Sequence, residues 1–257
     1  MLQKNRKRIF WMPVLFAMAG IAVCYMFYQL WKISQEEKAV SIQYHAFGIR
    51  IPAGWAIHGI DVSVHQGAIS WPAVKAMKIK NVQMGFVFIK ATEGLKDKDK
   101  YFKQNWRKAR KAGMTCGAYH FFLATRGGKE QAKHFINQVK LQKGDLPPVI
   151  DIENLYGVDP ELMRSRVKEW LSVVETHYGI KPIIYSSAGF YEKHLGKEFE
   201  QYPLWVAHYL DQEAPRISRH WTFWQHSDVG RVNGITTNVD CNVFNGDSLH
   251  WRNLLFK

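Results

Sequence analysis

Short apolar runs alternate with amphipathic stretches through most of the chain. From residue 58 onward the apolar runs fall at 59–64, 86–91, 116–122, 148–152, 182–186, 204–208, 222–225 and 239–244. Each has strand length, and several are apolar at consecutive positions, as expected of strands covered on both faces. Between the early runs lie helical periods at 71–77, at 102–112 closed by Gly113, and at 130–141 closed by Gly144. A fourth, at 160–177, is opened by Asp159 and closed by Gly179. Alternating strand and helix predicts an α/β fold with a parallel sheet, and eight strands predict a closed TIM-like β/α barrel. The second half is less regular: no helical period is visible between Tyr209 and Trp221, and Pro215 interrupts that stretch.

The N-terminus follows a different pattern. Residues 9–31 carry no charge, and at about 1.5 Å per residue a helix of that length spans roughly 34 Å, enough to cross a bilayer. Lys4, Arg6, Lys7 and Arg8 precede it without an acid, while Lys32 and Lys38 beyond it are offset by Glu36 and Glu37. That asymmetry predicts a single-pass membrane protein with a cytoplasmic tail (1–8), a signal anchor in the lipid bilayer (9–31), a stalk (32–57) and an outer domain (58–257) in the periplasm or outside the cell. Trp11 at one end, with Tyr25, Phe27, Tyr28 and Trp31 at the other, suits interfacial anchoring. A cleaved signal peptide is the competing reading, since Ala17-Met18-Ala19 resembles a small-x-small site. Lipidation of Cys24 is a further alternative, though Val23 stands where a small residue is wanted.

Composition narrows the function classes. With 47% hydrophobic residues, 19 Gly and 9 Pro, the chain is neither disordered nor a low-complexity linker. After residue 57 stand 28 basic and 20 acidic side chains, a net +8 that attracts polyanions; for an exported domain these are wall polymers or a membrane surface rather than nucleic acid. Generic solubilising charge is the plainer alternative. Three cysteines argue against a disulfide scaffold, leaving Cys116 and Cys241 as buried thiols or, less simply, one bridge. No cysteine and histidine spacing suits zinc, and neither a metal nor a cofactor is expected.

The chemistry concentrates in carboxylates. Pro147-Pro148-Val149-Ile150-Asp151-Ile152-Glu153-Asn154 reads as a buried strand ending in two acids at i and i+2, which point to one side, into the barrel mouth. Repulsion from Asp151 and partial burial are expected to raise the pKa of Glu153 and make it a proton donor near neutral pH. A helix cap or loop brace is the alternative for either acid. Asp61 sits within the first apolar strand and Asp240 within the last, where an unpaired charge is costly. In a closed barrel those strands are neighbours, so the two carboxylates converge on the others. A protonated carboxyl in a negative pocket is what glycoside hydrolysis needs.

These motifs resemble one family in particular. His58-Gly59-Ile60-Asp61-Val62-Ser63 with His65-Gln66-Gly67, Ile69 and Trp71 is similar to the opening of the family 25 glycoside hydrolases, the Chalaropsis-type lysozymes. Phe88-Ile89-Lys90-Ala91-Thr92-Glu93-Gly94, then Asp99, Phe102 and Asn105, then Gly117-Ala118-Tyr119-His120-Phe121, resemble its next strands. The likeness continues through Asp151-Ile152-Glu153, Ile184-Tyr185-Ser186, Pro203-Leu204-Trp205-Val206-Ala207, Trp224-Gln225-His226 and Val239-Asp240-Cys241-Asn242, about 58 to 247 in all. The resemblance implies cleavage of the β-1,4 bond between N-acetylmuramic acid and N-acetylglucosamine in peptidoglycan glycan strands. It implies Glu153 as catalytic acid, Asp151 as the acid beside it, and Asp61 and Asp240 as further carboxylates of the pocket. A D-x-E pair facing a 2-acetamido sugar suits a substrate-assisted route, with Asp151 as nucleophile or base left open.

Tyr119, Tyr185, Trp205 and Trp224 stand at strand ends and are candidates for stacking on sugar rings, with Glu93 and Gln225 hydrogen-bonding at the rim; core packing is the alternative for each aromatic. Trp71, Trp106 and Trp170 lie on helical stripes and read as structural. Lys96, Lys98 and Lys100 make one loop more charged than the resemblance suggests. Two other functions fit the same features: a hydrolase of another 2-acetamido glycan such as chitin, and an inactive wall-binding barrel.

Overall fold

The computed structural model describes residues 14, 16–30 and 40–257. A hairpin of β1 (Ser41–Tyr44) and β2 (Ile49–Pro52) precedes eight strands that close a barrel. These are β3 (His58–Val62), β4 (Val82–Glu93), β5 (Thr115–Phe121), β6 (Val149–Asp151), β7 (Ile183–Ser187), β8 (Leu204–Ala207), β9 (Phe223–Gly230) and β10 (Val239–Phe244). Neighbours from β3 through β9 run parallel. The last strand, β10, is antiparallel to both β9 and β3 and completes the ring. The barrel is therefore as expected in strand number, but not wholly parallel. A short loop joins β9 directly to β10, and without a crossover helix the chain returns in the opposite direction.

Helices α1 (Trp71–Ala76), α2 (Phe102–Lys111), α3 (Gly128–Gln138) and α4 (Pro160–Tyr178) cover the first half of the barrel. Asp159 caps α4 by accepting from the amides of Glu161 and Leu162, Pro160 occupies its first turn, and Gly179 ends it in the left-handed conformation. In the second half, turns at Ala188–Phe190, Tyr191–Leu195 and Lys197–Phe199 replace a helix between β7 and β8, and residues between β8 and β9 form a loop.

Strand alternation feeds two cores. Ile60, Val62, Val87, Ile89, Ala118, Ile150, Ile184 and Val206 face outward to the helices. Phe86, Phe88, Val149, Ile183, Trp205, Phe223 and Phe244 fill the barrel interior. The rings pack on one another, Phe86 to Phe223 at 5.3 Å and Phe88 to Phe223 at 5.1 Å between centroids. Gly59 and Gly117 make room for them. A Cβ on Gly59 would meet the Phe86 ring at 2.5 Å, and one on Gly117 would strike Phe88. At the end of the chain α5 (Ser248–Leu254) sets Trp251 against Phe86 and Phe244, closing the barrel floor opposite the mouth.

Residues 40–57, expected as the end of a stalk, instead carry the β1–β2 hairpin, whose Tyr44, Phe47, Ile49 and Ile51 are buried in the outer core. Its tie to the barrel includes the bond from the Arg231 amide to the Phe47 carbonyl at 2.8 Å. Apolar burial of those four side chains fixes it there. Before it, residues 16–30 are helical with nearly all side chains exposed, and no helix among the described residues is long and apolar enough to cross a membrane. The expected membrane helix is thus not found among the described residues. Residues 9–13, 15 and 31 of the expected span, the basic tail 1–8 and residues 32–39 lie outside them. Cys116 and Cys241 are both buried and unbridged, and Cys24 is exposed.

Candidate active site

Above the aromatic interior the barrel turns polar. A cleft of about 320 Å³ opens at the mouth, lined by Asp61, Asp151, Glu153 and Asp240 together with Lys90, Tyr119, Tyr185, Trp205, Tyr209 and Gln225. All four sequence-predicted carboxylates are brought together. Asp61 and Asp240 meet by direct register across β3 and β10. Because β10 is antiparallel, Asp240 reaches the mouth from the start of its strand rather than from its end.

Asp151 ends β6, and its carbonyl accepts from the Phe122 amide at 2.9 Å; the extended chain continues with the Ile152 amide on the Tyr185 carbonyl at 3.0 Å. That keeps Asp151 and Glu153 on one side, with Asp151 buried and Glu153 exposed at the opening. Burial, then the neighbouring Glu153 charge, pushes Asp151 well above the usual carboxylate range. Partial burial of its carboxyl also raises Glu153, against the opposing effects of a Tyr185 hydrogen bond and the Lys90 charge. The expectation placed the repulsion on Glu153. It falls chiefly on Asp151, because the deeper carboxylate has less water to screen it. Asp151 Oδ1 is buried without a hydrogen-bond partner among the described residues.

Asp61 is held by a hydrogen-bond network. Tyr185 and Tyr209 hydroxyls reach Gln225 Oε1 at 2.8 and 2.5 Å, so the Gln225 amide turns its Nε2 to Asp61 Oδ2 at 2.8 Å. Trp205 Nε1 can only donate, and it donates to Asn242 Oδ1 at 2.8 Å; Asn242 Nδ2 then faces Asp61 Oδ2 at 2.8 Å. Two donors on one oxygen favour the ionised form of Asp61. Asp240, hydrogen-bonded to it, carries the shared proton: burial and the Asp61 charge push Asp240 up to about 8, whereas burial lifts Asp61 only to about 6 against its three hydrogen bonds.

The remaining sequence candidates divide. Tyr119, Tyr185, Trp205 and Gln225 line the cleft, Trp205 as part of its floor, stacked 4.4 Å from Phe88. Glu93 stands one remove away, its Oε2 2.6 Å from Lys90 Nζ. Trp224 does not reach the site. It lies between the inward-facing Phe223 and Gln225 on β9, so its side chain points outward, is 0% exposed, packs on Trp55 and Trp221, and donates to the His208 carbonyl at 2.7 Å. Sequence reasoning missed Lys90 and Tyr209. Lys90 was legible from the phase Phe86, Phe88, Lys90 along β4; Tyr209 lies in a loop where no periodicity applies.

Comparison with known proteins agrees with this geometry. Residues 60–235 match the family described as Glycosyl hydrolases family 25. Escherichia coli K12 YegX, an uncharacterized protein, is 46% identical over 201 residues, covering 78% of this chain and 74% of that one. Lysozyme M1 of Streptomyces globisporus is 35% identical over 208 residues, 75% of this chain and 69% of that one. Among solved structures, a family 25 glycosyl hydrolase from Bacillus anthracis is 33% identical, covers 82% of this chain and 98% of its own, and superposes with a TM-score of 0.72. A bacterial lysozyme from Streptomyces coelicolor is 34% identical, with coverage of 77% and 96% and a TM-score of 0.69. By barrel, cleft and sequence alike, the chain belongs to glycoside hydrolase family 25 and is a glycoside hydrolase.

Proposed function

We propose that the cleft binds a peptidoglycan glycan strand and hydrolyses its β-1,4 bond between N-acetylmuramic acid and N-acetylglucosamine. One observation carries the reading: Asp151 and Glu153 stand side by side at one strand end, and buried Asp151 Oδ1 has no donor among the described residues. The N–H of a 2-acetamido group supplies such a donor. It favours ionised Asp151, and the proton held by the pair then resides on Glu153.

In this mechanism Asp151 orients the acetamido group, whose carbonyl oxygen attacks the anomeric carbon as Glu153 protonates the departing glycosidic oxygen. The bond from anomeric carbon to leaving oxygen breaks and an oxazolinium ring forms. Glu153, now a carboxylate, takes a proton from water as that water adds to the anomeric carbon and reopens the ring, with net retention. Ionised Asp61 adds negative potential beneath the oxocarbenium-like transition state and holds Gln225 and Asn242 in place. Tyr119, Tyr185 and Tyr209 offer ring faces and hydroxyls to the sugars. Glu93 acts through Lys90, and Asp240 through Asp61.

Names of relatives that include lysozymes support a wall substrate, and so a site of action outside the cytoplasm. The uncharged run 9–31 behind four basic residues supports a membrane tether for the enzyme. Retention of the full-length chain in washed membranes tests that tether, and recovery of a soluble form beginning near Gly20 contradicts it.

The catalytic assignment is tested by Glu153→Gln. Volume is kept and the proton donor is lost, so turnover should fall by about 10²- to 10⁴-fold with thermal stability unchanged. Near-normal turnover in the folded variant removes Glu153 from the role.

A further inference from the structure

A second pocket, of about 280 Å³, opens where the β1–β2 hairpin meets the loop after β8. Tyr209 belongs to the walls of both pocket and cleft. Its hydroxyl is engaged in the cleft on Gln225, while 45% of the residue remains exposed. Cleft and pocket therefore lie on either side of Tyr209.

The polar groups of this pocket are held in place before any ligand arrives. Arg50 donates from Nε to Ser41 Oγ at 2.9 Å and from Nη2 to the Ser41 carbonyl at 2.8 Å. Ser41 Oγ in turn donates to Gln212 Oε1 at 2.9 Å, joining the hairpin to the loop after β8. With its oxygen engaged there, the Gln212 amide offers its N–H groups. Asp211 is fixed by Arg216 Nε at 3.0 Å and by the Glu213 amide at 3.0 Å, so its charge is countered locally. His226 is neutral, since burial and the nearby His58 push it down to about 3. With Asp211 answered by Arg216, Arg50, which among the described residues bonds only to Ser41 groups, leaves the pocket one positive charge. Fixed planar donors and acceptors beside an exposed aromatic ring suit a polyhydroxylated ligand better than an apolar chain.

We propose that this pocket is an additional saccharide subsite, which extends the cleft along the glycan strand beyond Tyr209. The inference rests on the glycan-cleaving reading of the cleft. It also gives the hairpin a role: residues 41–52 precede the stretch matched to the family, 60–235, so this end of the binding surface is built partly from sequence outside that match.

The test is steady-state kinetics on peptide-free glycan of two lengths, a tetrasaccharide and long strands. The wild type should show a lower KM on the long strands. Gln212 is exposed, so Gln212→Ala spares the fold. It should raise KM for long strands about three- to tenfold, as expected for one lost hydrogen bond, with kcat unchanged and the tetrasaccharide unaffected. Arg50→Met, which frees Ser41 and Gln212, should do the same. Equal wild-type KM at both lengths, no effect of the variants on long strands, or equal effects on both lengths overturns the subsite alone. Failure of the wild type to cut either substrate overturns the glycan-cleaving reading and the subsite with it.

Discussion

The substitution Asp240→Asn should change how stability depends on pH. In the folded protein Asp240 holds the proton it shares with Asp61, its carboxyl pushed up to about 8 from an ordinary 3.8. A raised carboxyl stabilises the fold fully below the ordinary value, and that contribution is lost as pH rises toward about 8. At pH 6 the unfolded chain has already released this proton while the folded chain retains it. Each further pH unit removes about 1.4 kcal/mol until the folded group itself titrates, about 2 kcal/mol between pH 6 and 8. A side-chain amide at this position would still donate an N–H to Asp61 but would have no proton to lose. Buried neutral histidines work in the opposite direction. His58, lowered to about 4, and His120 and His226, lowered to about 3, give stability that is present above the ordinary 6.5 and lost as pH falls below it. The informative quantity is therefore variant minus wild type, in which the histidines cancel. By calorimetry that difference should rise by about 4–8 °C in Tm between pH 6 and pH 8, in favour of the variant. Parallel curves over this window would refute proton sharing between Asp61 and Asp240.

Other substitutions separate the roles of neighbouring groups. Asp151→Asn should lower kcat strongly and shift the basic limb of the pH profile downward, since a neutral amide no longer disfavours ionised Glu153; an unmoved basic limb counts against coupling of the pair. A trapped glycosyl-enzyme on Asp151 with a slow fluorosugar would replace the substrate-assisted route by a covalent one. Trp224→Phe should leave KM and kcat intact while costing about 2–4 kcal/mol, because it removes the bond to the His208 carbonyl and leaves a gap against Trp55 and Trp221; a raised KM would return Trp224 to the cleft. Gly59→Ala should destabilise by about 1–3 kcal/mol through overpacking on Phe86, read as a lower denaturant midpoint at unchanged slope.

The barrel was legible because each strand carries its own apolar run and each early helix its own period, with a side-chain cap only at α4; α3 stops at Gln138, short of the Gly144 expected to close it. The convergence of Asp61 with Asp240 followed from closure alone, since first and last strands of a ring are neighbours whichever way the last one runs. Its direction was not legible: an apolar run of six reads the same forward and back. Trp224 was misplaced because its position at a strand end was weighed without the alternation that sends Phe223 and Gln225 inward. The hairpin at 41–52 escaped notice because strands of four residues, one of them interrupted by Arg50, give too short a period to register. Tyr209 and Gln212 sit in a loop, where tertiary contact with segments as remote as Ser41 decides their place.

The identity of the bond cut distinguishes a muramidase from other glycan hydrolases most directly. Purified peptidoglycan digested with the wild-type protein, then reduced and analysed by mass spectrometry, should yield fragments whose new reducing ends are N-acetylmuramic acid, with none released by Glu153→Gln. Reducing ends of N-acetylglucosamine, or fragments released equally by the variant, would contradict it.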